Sequence, residues 1–244
     1  MNSVPAIDTD AAVTRSPTAW LCAVLQAGDS FYPTGSYAHS FGLEGLVQEG
    51  VVRDRATLRT FLRESVLPAL RQSELPLAVH AWAALADRDW ARVRELCELS
   101  SAMKTSREAR EASDNIGRQR AELVATLRGD SRAQEFLARA AEGRWPCSPA
   151  VSAVLESRAF GAPRDACLAG IAYSSVAAIV SAAMKLLRLG QNASQSLLTE
   201  TLAEIPAIIS GAENVPFDDI GWFNPWLDIA AAGHETASTR MFIS

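Results

Sequence analysis

The sequence predicts an all-α protein, a single domain of about ten helices. Three observations carry that reading. No stretch alternates apolar and polar residues with a period of two over a useful length. Apolar residues recur at helical spacing in block after block. The blocks are separated by helix punctuation, with Asp or Ser where a helix would start and Gly where it would stop. With 244 residues and 48% apolar content, the chain is long enough to bury a sizeable core.

Taken in order, Trp20, Leu21, Val24 and Leu25 share one helical face, and Gly28 can end that helix. A dense block of aromatics, hydroxyls and glycines follows, from Ser30 to Glu44. An ordinary helix connection is polar and roughly 2–8 residues long, so a loop carrying Phe31, Tyr32, Tyr37 and Phe41 is expected to pack down. Phe41 to Glu49 suits a short helix stopped by Gly50. Asp54 is a good N-cap for a helix with an apolar stripe of Leu58, Phe61, Leu62 and Val66, and Pro68 should kink it. On that helix Arg55, Arg59 and Arg63 line one face, either solvated or facing an acidic partner. Ser73 to Asp87 reads as the next helix, with Pro76 in its first turn, and Asp89 can cap the one carrying Trp90, Val93, Leu96 and Cys97.

Met103 to Leu127 is long and highly charged, with the i,i+4 pairs Arg107 with Glu111, Arg110 with Asp114, and Asp114 with Arg118. Each such pair stabilises by roughly 0.2–0.5 kcal/mol. Gly117 costs about 1 kcal/mol in a helix interior, which predicts a close neighbour there. Gly129-Asp130 is a break before a helix from Ser131 to Ala141. Ser148-Pro149 and Pro163 open two more. The second of these, Ala166 to Met184, has no charged side chain and nearly the length a bilayer needs, roughly 17–25 residues. Its alanines, serines and glycines suit close helix packing, so a buried core helix is expected. Ser194 to Ser210 completes the helices, with a kink at Pro206, before a loop from Gly211 to Pro225 and a short helix from Trp226 to Ala232.

Several functions are excluded or disfavoured. A net charge of −5 and a pI near 5.3 argue against nucleic-acid binding. The only lysines, Lys104 and Lys185, follow no glycine-rich turn, so no P-loop is present. His234-Glu235 resembles the start of a zinc-protease motif, but Ser238 stands where the second histidine is required. His39, His80 and His234 have no metal-ligand spacing, and His80 among alanines reads as a satisfied boundary residue. Ser36, His39 and Ser40 lack the strand context of a hydrolase nucleophile. Asp218-Asp219 and Glu108 with Glu111 read as capping or solvated carboxylates rather than a catalytic pair. Cys22, Cys97, Cys147 and Cys167 are far apart and read as free thiols of a reducing compartment. No cofactor, metal site or membrane span is expected, and the location is read as cytoplasmic. What remains is an α-helical interaction protein and not an enzyme.

Four pieces in order carry a resemblance. They are Pro33-x-Gly35-x-Tyr37 with Ser40-x-Gly42-Leu43-Glu44; Ser106-Arg107-Glu108 to Gly117-Arg118; Leu187-Arg188-Leu189-Gly190-Gln191; and Asp228-Ile229-Ala230 with His234-Glu235-Thr236 and Thr239-Arg240-Met241-Phe242. Over roughly residues 18 to 244 the chain resembles the urease accessory protein UreF family. Ala232 and Ile243 depart from that family's usual methionine and arginine. The resemblance implies a helical homodimer that binds a UreD (UreH) subunit, recruits the GTPase UreG, docks on apo-urease and helps deliver nickel. It implies an ordered domain over 18–233, a disordered tail over 1–17, and a tail over 234–244 that orders on partner binding. The partner-binding residues would be His234, Glu235, Arg240 and Phe242 of the tail, with Arg240 as anchor, and Tyr37, Ser40 and Glu44 of the opening loop packed near it. Two alternatives stay open: a helical regulator of another GTPase, facing it with Arg107, Arg110 or Arg118, and an all-α enzyme with an unrecognised pocket.

Overall fold

The computed structural model describes residues 17–35, 40, 42–225 and 242. The tail expected before residue 18, the short helix expected from Trp226, and most of the tail from His234 lie outside them. Helices form the framework, and no strand occurs among the described residues. In chain order they are α1 (Pro17–Gly28), α2 (Leu43–Gln48), α3 (Arg55–Phe61), α4 (Leu67–Ala69), α5 (Leu75–Asp87), α6 (Trp90–Ala102), α7 (Arg107–Arg128), α8 (Ser131–Gly143), α9 (Pro149–Phe160), α10 (Arg164–Leu186), α11 (Gln191–Leu202) and α12 (Ile205–Ala212).

The start signals act as the sequence suggests. Asp54 accepts from the Thr57 amide at 2.8 Å, and the Thr57 hydroxyl accepts from the Asp54 amide at 3.0 Å, a reciprocal capping box. Asp89 caps α6 as expected, its side chain accepting from the Arg92 amide, and Ser106 and Asp130 cap α7 and α8 through single bonds of the same kind, so α7 starts at Arg107 and not at Met103 as expected. Ser148 precedes Pro149 at the expected place, but its side chain makes no capping bond.

The core centres on α9, where every residue from Ala150 to Ser157 is buried. Helices α5, α7 and α10 pack around it. Gly117 explains how close α7 comes: a Cβ there would stand 2.1 Å from the Cys147 carbonyl oxygen. One turn further along α7, Arg120 Nη1 donates to Glu156 Oε2 at 2.5 Å, an ion pair sealed between the two helices. The helix expected to be the buried one, α10, is long and apolar enough to cross a membrane by length and composition. In this fold it buries one side, through Leu168, Ala172, Val176, Ile179 and Ala183, and leaves Tyr173 exposed on another.

The prolines act differently from the expectation. Pro68 and Pro76 sit inside one continuous run from Arg55 to Asp87, which widens to π-helical turns over Leu62–Val66 and Leu70–Glu74. Pro76 has no amide hydrogen for the Gln72 carbonyl. The Gly221 amide takes that carbonyl at 3.0 Å, and Gln72 Nε2 returns a bond to the Asp219 carbonyl at 2.9 Å. A helix-breaking residue thereby anchors a loop some 150 residues away in sequence. At Pro206 the opposite occurs. The chain breaks fully after Leu202, and Pro206 lies in the first turn of α12, where a missing amide costs nothing.

Arg55, Arg59 and Arg63 do face carboxylates, but within the chain. Arg55 and Arg59 approach Glu200 at 2.6 and 3.4 Å, and Arg63 approaches Glu204 at 2.7 Å, clamping α3 and its π-helical continuation to α11 and the turn after it.

The thiols at Cys22, Cys97, Cys147 and Cys167 are all free, and only Cys22 is exposed. Burial pushes Cys147 up to about 11, with Arg118 opposing, and Cys167 likewise up to about 11. Two outcomes are expected. Gly117→Ala should destabilise by about 1–3 kcal/mol, read as a lowered urea midpoint, despite alanine's better helix propensity. At pH 8 a thiol reagent should label Cys97, Cys147 and Cys167 only upon unfolding, as followed by mass spectrometry.

Candidate partner-binding surface

The opening loop is built by short-range bonds. Asp29 Oδ1 accepts from the Phe31 amide at 2.7 Å, and the Tyr32 amide donates back to the Asp29 carbonyl at 3.0 Å. This Asx turn folds the chain away from α1. The loop then crosses α7, where Gly35, at φ 79°, leaves only 3.2 Å for a Cβ beside Gln119 Oε1. Thr34 is buried and Tyr32 half-buried, as a packed loop requires. Phe31 is not: at 93% exposure it points into solvent, contrary to the expectation for this loop. The Tyr32 phenol lies beside Glu156. Burial raises its pKa well above the ordinary tyrosine value, and the Glu156 charge adds to the effect.

Ser40 and Glu44 begin the next element. The Ser40 carbonyl accepts from the Leu43 amide at 3.1 Å, and its hydroxyl accepts from the Glu44 amide at 3.4 Å. Gly42, at φ 83°, makes the left-handed turn between them. Both side chains are buried, Glu44 at 4% exposure. A short helix with a buried acid needs a reason, and the chain end supplies one. The Phe242 amide donates to Glu44 Oε2 at 3.1 Å. Its ring is 7% exposed within the main core, with Lys185 Nζ of α10 5.3 Å from the ring centroid. Opening loop, α10 and chain end thus meet at one place. Tyr37, His234, Glu235 and Arg240 lie outside the described residues.

The α7 arginines are placed unequally. Arg107 is exposed, with only a 3.6 Å approach to Glu111. The Arg110 guanidinium turns back to donate to the Lys104 and Thr105 carbonyls at 2.7 and 2.8 Å, so the expected pair with Asp114 is replaced by a clamp on the turn into α7. Arg118 lies 3.2 Å from Asp114, whose other oxygen accepts from the Cys147 amide at 2.6 Å. Arg107 is therefore the one of the three presented outward. His80 is half-buried, with Nε2 3.0 Å from the Val215 carbonyl and its ring edge-on to Phe217, the satisfied boundary position expected for it. Sequence reasoning missed Lys185, Tyr32, Arg120 and Glu156. The last carried a faint signal, a lone acid directly after the mostly apolar stretch Ala150 to Leu155.

Comparison with known proteins gives the same assignment along the chain. The UreF family model matches residues 52–202. A urease accessory protein UreF of Azoarcus sp. (strain BH72) is 33% identical over 224 residues, covering 92% of this chain and 95% of that protein. Another UreF, from Pseudomonas fluorescens (strain ATCC BAA-477), is 33% identical over 228 residues, or 93% and 99% of the two chains. A third, from Granulibacter bethesdensis, is 30% identical over 239 residues, or 98% and 100%. With the helical architecture and the motifs at both ends, these matches make the chain a member of the UreF family of urease accessory proteins.

Proposed function

We propose that this protein is a cytoplasmic adaptor in urease maturation, without catalytic chemistry of its own. It binds a UreD (UreH) subunit through its chain end and opening loop, recruits the GTPase UreG, and docks the assembly on apo-urease so that nickel, the cargo, can be inserted. The observation that carries this reading is the bond from the Phe242 amide to buried Glu44. It brings together the two regions that the family resemblance marks for partner contact, which supports their acting as one. Homodimerisation is part of the proposal. Leu21 and Leu25 on α1 are 47% and 65% exposed, and Tyr173, whose ring lies 3.9 Å from where a Cβ on Gly28 would stand, is 42% exposed. An apolar face of this kind suits a self-complementary interface. Arg107 is the α7 arginine best placed to face a GTPase, because Arg110 and Arg118 are engaged internally.

Co-expression with UreD and UreG from the same genome tests the reading. A stoichiometric ternary complex is expected on size exclusion, and removal of residues 234–244 should release UreD. No association at full length would overturn it. Glu44→Ala leaves the Phe242 amide without its acceptor, a loss of about 1–3 kcal/mol for a buried donor. The chain end should then be cut faster by a nonspecific protease, and less UreD retained, while the helical content by circular dichroism stays unchanged.

A further inference from the structure

The loop after α12 is pinned in place yet shows its largest side chains to solvent. The Gly221 amide donates to the Gln72 carbonyl at 3.0 Å, Gln72 Nε2 donates to the Asp219 carbonyl at 2.9 Å, and Asn224 Nδ2 donates to Ser65 Oγ at 3.1 Å. These bonds tie residues 219–224 to the helical run that carries Ser65 and Gln72. Within the tied segment, Trp222 and Phe223 are 39% and 70% exposed. Exposed aromatics on a fixed backbone suit the anchor positions of a protein interface, because little loop entropy remains to be lost on binding. Trp222 also lines a cleft of about 160 Å³, together with Leu67, Pro68 and Ile208. That volume lies below the roughly 300–1,000 Å³ of ordinary small-molecule sites, so the cleft suits one side chain of a larger partner.

The charges of the cleft narrow the partner. Glu204 lines it, but Arg63 engages that carboxylate at 2.7 Å. Arg71 lines it too, is exposed, and has no ion pair among the described residues. Gly211 of α12 leaves the space that this side chain takes, since a Cβ there would stand 2.4 Å from Arg71 Nε. Asp218 and Asp219, the other acids of the loop, do not line the cleft. Along this flank four arginines, Arg55, Arg59, Arg63 and Arg71, stand against two carboxylates, Glu200 and Glu204. That local positive excess occurs on a chain whose net charge is −5. We propose that the cleft between Trp222 and Arg71 docks an acidic segment of a partner protein, one that carries an aromatic side chain. The aromatic ring enters the cleft against Trp222, and a flanking carboxylate pairs with the Arg71 guanidinium. The site shares no residue with the contact of Phe242 and Glu44, and the proposal does not rest on the adaptor reading.

A fluorescein-labelled random copolymer of glutamate and tyrosine is the probe, followed by fluorescence anisotropy as the full-length chain is titrated in. Saturable binding that weakens as salt is raised is expected. Polyglutamate without tyrosine should bind at least about tenfold more weakly, and a copolymer of lysine and tyrosine should not bind. Arg71→Gln and Trp222→Ala should each weaken binding of the first copolymer at least about tenfold, equivalent to ~1.4 kcal/mol. Both positions are exposed, so helical content by circular dichroism should stay unchanged. Arg94→Gln removes the same charge from an exposed position on α6 and should bind as the wild type does. Absence of saturable binding to the folded wild-type chain would overturn the proposal. So would an equal loss in Arg94→Gln, or undiminished affinity in either cleft variant. A lower oligomeric state of Trp222→Ala on size exclusion would assign this face to a second copy of the chain and overturn it as well.

Discussion

Gly117 sets how closely α7 approaches the start of α9, and the rest of the fold is arranged around that approach. With the backbone of Cys147 lying where a side chain would otherwise be, Arg120 comes within reach of Glu156. The pair is 15% and 3% exposed, so each charge depends on the other. Removing one partner of such a pair costs about 3–5 kcal/mol, whereas the intact pair contributes little net stability over an apolar equivalent. Its effect is on register: it fixes α7 against α9 along their length. Asp114 reinforces the same contact by receiving both Arg118 and the Cys147 amide. The opening loop then lies on the outside of this unit, through Gly35 beside Gln119 and Tyr32 beside Glu156.

The chain end depends on that arrangement at one remove. Helix α2 follows the opening loop and packs on α10, which brings Glu44 and Lys185 to the position where Phe242 is buried. A buried carboxylate accepting a backbone amide makes a stronger bond than a neutral acceptor would. Placing the end of the chain in the core also couples it to the loop. A partner that engages one of them meets the other in a fixed relation.

Much of the architecture was legible because local chemistry decides it. Asp54 and Asp89 cap helices since their side chains can reach amides two or three residues on, whatever the rest of the chain does. Gly117 announced a close neighbour in advance, because a helix interior otherwise selects against glycine. What was not legible depends on distant partners. Nothing around Arg63 indicates Glu204, 141 residues away, and nothing around Arg120 indicates Glu156. The uptake of the Gln72 carbonyl, freed by Pro76, by the Gly221 amide also depends on a remote loop, and local rules expected a kink at Pro68 rather than a continuous run with π-helical turns. Phe31 was expected to pack because it is aromatic, yet its environment is solvent. Family resemblance singled out Glu44 and Phe242, but spacing could not foretell that they touch across 198 residues.

The central claim is that opening loop and chain end form one partner-contacting surface. Hydrogen exchange by mass spectrometry, with and without the UreD subunit, tests it most directly. The account predicts that peptides covering residues 40–46 and 238–244 gain protection together on binding, while α8, which packs on α7, is unchanged. Protection of only one of the two segments, or protection centred elsewhere on the chain, would contradict it.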